Sequence, residues 1–127
     1  MNIFNLFGKK KLSRTISKNT EEMIQRDWKQ IDILLAGKAP SQLRQALITA
    51  DKTLDNALRD LFDGNTLGDR LKLADSKFDK HFYDDIWKAH KLRNSLVHES
   101  GFEPPHFVVT EAIQTLRRAV QSLGIRI

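Results

Sequence analysis

Between positions 43 and 61 the apolar residues Leu43, Leu47, Ala50, Leu54, Ala57, Leu58 and Leu61 form one stripe, most of them three or four residues apart. That spacing follows the turn of an α-helix and cannot be placed on one face of a strand. A long amphipathic helix must bury its stripe against other elements, so it dictates the architecture around it. Asp51, Lys52, Asp55 and Arg59 are expected on its opposite, polar side. Ser41, after Pro40, is expected to cap its start, and Gly64 to end it.

The rest of the chain repeats the helical pattern. Ile24, Trp28, Ile31 and Leu35 predict a helix from about Thr20 to Ala36, broken by "GKAP". Thr66 and Asp69 form a capping pair for a short helix through Ala74. A link rich in Asp, Lys and Phe leads to a helix from about Tyr83 to His98. After the loop "ESGFEPP", Pro105 suits the first turn of a last helix, which carries Val109, Ile113, Leu116, Val120 and Leu123 and stops at Gly124. The only β-branched cluster is Val108-Val109-Thr110, and no internal repeat occurs. The expected fold is all-α, a compact bundle of four to five helices.

With 127 residues there is room for one core. The chain has no cysteine, which excludes disulfides and thiolate metal sites. No apolar run approaches the ~20 residues of a membrane span. In "MNIFNLFGKKK" the apolar stretch precedes the positive charge, the reverse of a secretory leader, so a cytoplasmic location is expected. The net charge of +5 is confined to one place. Residues 1–20 hold Lys9, Lys10, Lys11, Arg14 and Lys18 and no acid, and the remaining 107 residues hold 16 basic and 16 acidic side chains. Residues 1–18 are therefore expected to be a basic, flexible tail on a neutral helical domain, 19–127. Such a tail can solubilise, attract RNA phosphates, or touch a membrane surface weakly through Ile3, Phe4, Leu6 and Phe7.

The stretch "KLRNSLVHE", 91–99, gathers Arg93, Asn94 and His98 at the end of the penultimate long helix. On a helical wheel Ile86, Ala89, Leu92, Leu96 and Val97 share one face, and Arg93 falls between Ile86 and Val97, toward apolar surface. A guanidinium placed there needs a partner, a cleft or an interface. A carbonyl or a near acid such as Asp85 would satisfy it, and His98 in the last turn suits the helix dipole. Asn94 and His98 lie four apart on one flank. Arg93 and His98 are five apart, roughly 140° on an ideal helix, and converge only if the helix loosens near Val97. Among other groupings, His81, Asp84 and Asp85 are close in sequence and His90 and His98 are eight apart. No spacing matches a metal site, and no Gly-rich phosphate loop occurs. Neither metal nor cofactor is expected.

From about Leu43 to Leu123 the chain resembles the HEPN superfamily of small helical domains. The signature there is an arginine, a polar residue and, after four to six intervening residues, a histidine. Here it reads Arg93-Asn94-Ser95-Leu96-Val97-His98. "IWKAHKLRNSLVHE" looks like the motif helix, "ALITADKTLDNALRDL" like the long helix before it, and "TEAIQTLRRAVQSLG" like the closing one. The resemblance implies a metal-independent endoribonuclease whose two motifs face each other across a homodimer cleft. His98 would then be the acid/base group, Arg93 the phosphate clamp, and Asn94 would orient the histidine or the ribose. His90 and Lys91 beside the motif, and Lys9, Lys10 and Lys11 in the tail, are the candidate RNA contacts. An antitoxin or another protein partner fits the same resemblance. Some toxin members carry a tyrosine two residues after the histidine, where a partner nucleotidyltransferase modifies them. Ser100 stands here instead. Two alternatives remain open: a non-cleaving HEPN-like module that binds RNA, a nucleotide or a partner, and a helical scaffold in which the motif is structural.

Overall fold

The computed structural model describes residues 14–127. They fold into five α-helices: α1 (Lys18–Gly37), α2 (Pro40–Leu61), α3 (Leu67–Leu73), α4 (Lys80–His98) and α5 (His106–Ser122), with one 3₁₀ turn, Asp75–Lys77, ahead of α4. No strand occurs among the described residues. The all-α bundle is the fold, and the motif lies at the C-terminal end of the penultimate helix.

Helix α2 is the axis of the bundle and packs against each of the other four helices. Leu47, Ala50, Leu54, Ala57 and Leu58 are completely buried along it. Trp28 of α1 closes one side. Its indole N–H donates to Thr53 Oγ1 at 3.0 Å, and the same hydroxyl donates to the Ala50 carbonyl at 2.7 Å. The Arg117 guanidinium of α5 covers the Trp28 ring at 4.4 Å and pairs with Asp32. A buried indole thus keeps its one donor satisfied while its ring fills the core.

The helix ends show where local chemistry overrode the expected boundaries. Ser17 caps α1, accepting from Thr20 N at 3.0 Å, so α1 opens at Lys18, two residues before Thr20. Ser41 does not cap α2. Pro40 takes the first helical position, where its fixed φ and missing N–H cost nothing. Ala39 is the cap residue, and Gln42 Oε1 accepts from its N–H at 3.1 Å. Gly64 does not end α2 either. Phe62 turns the chain into extended backbone, and Gly64 serves a close approach, since a Cβ there would lie 2.9 Å from Arg70 Cγ. Helix α4 begins one turn before Tyr83, because Asp79 accepts from Phe82 N at 3.0 Å and nucleates it. The expected cap of α3 is present, with Thr66 Oγ1 accepting from Asp69 N at 3.1 Å. Gly124 follows the end of α5 with φ 99°, a conformation glycine adopts without strain.

Part of the basic N-terminal segment is placed. Arg14 Nε and its terminal nitrogens donate to the carbonyls of Asp60 and Arg59 at 3.0 and 2.9 Å and to the Asp63 carboxylate at 2.9 Å. These are the last-turn carbonyls of α2, which have no partner within the helix. Ser17 N donates to Asp60 Oδ2 at 2.9 Å. Arg14 therefore acts as a C-terminal cap from outside the helix. Arg14→Ala is expected to cost about 1–2 kcal/mol, seen as a lower urea midpoint at unchanged slope. An unchanged midpoint would show that water replaces the guanidinium without loss. Ile3, Phe4, Leu6, Phe7, Lys9, Lys10 and Lys11 lie outside the described residues. No helix among the described residues is long and apolar enough to cross a membrane.

Candidate functional site

Arg93 does not point into an apolar face. The position between Ile86 and Val97 on α4 meets α2 at Asp51, and Arg93 Nε lies 3.6 Å from Asp51 Oδ2, an ion pair without a hydrogen bond. Asp85 is not the partner. It lies on the side of α4 that faces α5, beside Lys88, Ala89 and Glu111. One terminal nitrogen of Arg93 donates to Asn94 Oδ1 at 3.0 Å, so adjacent residues of the motif brace each other. The Arg93 side chain retains 31% exposure and thus opens to solvent past its carboxylate.

Asp51 organises this site and was expected on the polar side of α2. It is buried, at 4% exposure. His90 Nδ1 lies 3.0 and 3.2 Å from its two oxygens, and the His90 ring packs edge-on against Trp87 with centroids 6.0 Å apart. One carboxylate thereby holds an imidazole and a guanidinium from successive turns of α4. A carboxylate so deeply buried is tolerable only because both oxygens are engaged by polar groups. Four residues further along α2, Asp55 accepts from Arg70 Nε at 2.8 Å, and Arg70 also donates to the Gly64 carbonyl. Arg70, itself buried, ties the loop after α2 to the same side of the bundle.

Between these pairs lies an open cavity of about 430 Å³, lined by Asp51, Lys52, Asp55, Thr66, Leu67, Gly68, His90, Arg93 and Asn94. Its carboxylates are matched by His90, Arg93 and Arg70, so it is polar and close to charge balance. Among the described residues no group of three or more His, Asp or Glu side chains is arranged to hold a metal ion.

Of the expected site residues, Arg93, Asn94 and His90 come together and His98 stands apart. α4 runs unbroken through His98, so the loosening expected near Val97 does not occur and Arg93 and His98 keep their angular separation. His98 is exposed and forms no hydrogen bond or ion pair with a described residue. Val97, expected in the core, is 37% exposed, because in this last turn only Leu96 reaches the bundle interior. Lys91 is exposed, with its ammonium 5.9 Å from the Trp87 ring. His90, expected as an RNA contact, is only 12% exposed and has Nδ1 engaged by Asp51. The remaining RNA-contact candidates, Lys9, Lys10 and Lys11, are outside the described residues.

No family model, no curated protein and no solved structure matches the chain.

Proposed function

We propose that the chain is a metal-independent endoribonuclease of HEPN type, with Arg93 as phosphate clamp and His98 as acid/base group. The supporting observation is the contrast between the two motif residues. Arg93 is held by Asp51 and Asn94 at the wall of an open cavity, while His98, five residues further on, is exposed and bonded to no described residue. A fixed cation and an exposed imidazole are what cleavage by a ribose 2′-hydroxyl requires. The imidazole removes the hydroxyl proton, the oxygen attacks the adjacent phosphorus, and the guanidinium stabilises the charge gathering on the non-bridging oxygens. The P–O5′ bond breaks and the 5′-oxygen takes the proton now held by the imidazole, giving a 2′,3′-cyclic phosphate and a 5′-hydroxyl end. Asn94 supports the clamp by accepting from it.

Because Arg93 and His98 sit on different flanks of one unbroken helix, a site using both is best completed by a second copy. The exposed Val97, 37% accessible, gives such a copy apolar surface within the motif, and Phe107, 70% accessible, adds more at the start of α5. The expected results are cleavage of single-stranded RNA in EDTA and a light-scattering mass of about twice 14.6 kDa. A monomer at every concentration would remove the two-chain site. The near-balanced charge of the Asp51 cavity favours a second reading, a non-cleaving module that recruits RNA or a protein partner. Wild type and His98→Ala binding RNA equally, with neither cutting any RNA offered, would decide for that module.

A further inference from the structure

A second cavity, of about 600 Å³, lies at the other side of the motif turn, between the start of α2 and the loop after α4. Lys38, Arg44 and His106 line it together with Leu96, Phe102 and Glu103. Its wall is apolar, and the half-buried Phe102 packs against the core there. Its rim is cationic. Lys38 and Arg44 form no ion pair with a described residue. Among the described residues lining the cavity, Glu103 is the only acid.

We propose that this cavity binds one nucleotide unit of an RNA strand, its base against Phe102 and the apolar wall and its phosphate at Arg44 and Lys38. Size argues against a lone phosphate, since pockets of ~300–1,000 Å³ hold molecules with a ring system. The apolar wall calls for a flat, weakly hydrated surface, which a base provides by stacking on an aromatic ring. Lys38 and Arg44, with no carboxylate paired to them among the described residues, call for an anion on the same molecule. Glu103 completes the chemistry as an acceptor for a base amino group or a ribose hydroxyl. The strand, and not a free nucleotide, follows from position. Leu96 and Gly101 both line the cavity, and His98 lies between them in the chain, so a strand seated here would run past the end of α4 that carries the proposed acid/base group. The strand assignment rests on the ribonuclease reading. The pocket chemistry does not.

The test is titration of the full-length protein with AMP and UMP, with inorganic phosphate, and with a 2′-O-methyl oligoribonucleotide that cannot be cut, followed by backbone-amide NMR. Both mononucleotides should bind at millimolar levels and shift Lys38, Arg44, Phe102 and Val109, and phosphate alone should not reproduce the Phe102 shift. Arg44→Ala, at an exposed position, should weaken binding by about tenfold. The oligonucleotide should compete for the same amides and bind more tightly. Shifts confined to other residues, or an affinity indifferent to Arg44→Ala and Lys38→Ala together, overturn the assignment. Mononucleotides that bind without competition from the oligonucleotide overturn the strand placement. Binding lost in Arg44→Ala by a protein that cuts no RNA leaves the cavity assignment standing and removes the nuclease. Cleavage with an unchanged KM in an Arg44→Ala protein, without nucleotide shifts in wild type, does the reverse.

Discussion

His98→Ala should lower RNA cleavage by roughly 10²–10⁴-fold, the usual contribution of a positioned general acid or base. The same change should leave stability within about 0.5 kcal/mol of wild type, because the imidazole is exposed and bonded to no described residue. That combination makes it a clean probe. Arg93→Ala should match or exceed the loss of rate, since it removes the cation that the proposed mechanism sets against the transition-state charge. It also leaves the buried Asp51 with only His90, so its activity must be read beside its urea midpoint. Arg93→Lys keeps a charge but loses the planar fork, and should recover little activity. His81→Ala, at an exposed position near the start of α4, should be silent. If His98→Ala cuts at the wild-type rate with identical products, the acid/base assignment fails even when the protein is a ribonuclease.

The fold was legible because it depends on an averaged property. Any two-thirds of the α2 stripe would still have predicted a buried helix, and the loops were marked by glycine and proline. Boundaries were less legible, since each depends on one or two side chains. Asp79 begins α4 in a stretch whose apolar period has not yet started, and Gln42 serves the cap at Ala39 from inside the helix. The motif itself was legible as a local string. Its main partner was not, because Asp51 is 42 positions away and reads as one more charge on an amphipathic helix. A signal was present all the same. Asp51 is four residues after Leu47 and three before Leu54, so it belongs to the buried stripe and not to the polar side. The same spacing marks Arg70, three residues after Leu67 and four before Ala74, and it too is buried. A charge within an apolar stripe predicts a buried partner, though pairing Asp51 with His90 and Arg93 requires knowing how α2 and α4 cross.

Asp51→Ala should be the most destabilising single change at the site, at about 2–4 kcal/mol. The carboxylate is 4% exposed and faces two groups. Removing it leaves His90 Nδ1 without its acceptor and the buried Arg93 Nε without its counter-charge, each in a position water reaches poorly. With a urea slope of about 1–3 kcal/mol/M, the midpoint should fall by about 1–2 M. Asp51→Asn should cost less, because an amide oxygen still accepts from His90, but it supplies no charge to Arg93. That difference separates structure from function. If Asp51 acts only as a packing element, Asn should recover both stability and any cleavage. If it also aims Arg93, Asn should recover most of the stability while cleavage stays low. A double-mutant cycle on Asp51 and Arg93 gives the pair its own number, expected at about 0.5–3 kcal/mol of coupling for residues in contact. Zero coupling would mean that the 3.6 Å approach holds no useful interaction, and the orientation of Arg93 would then rest on Asn94 alone.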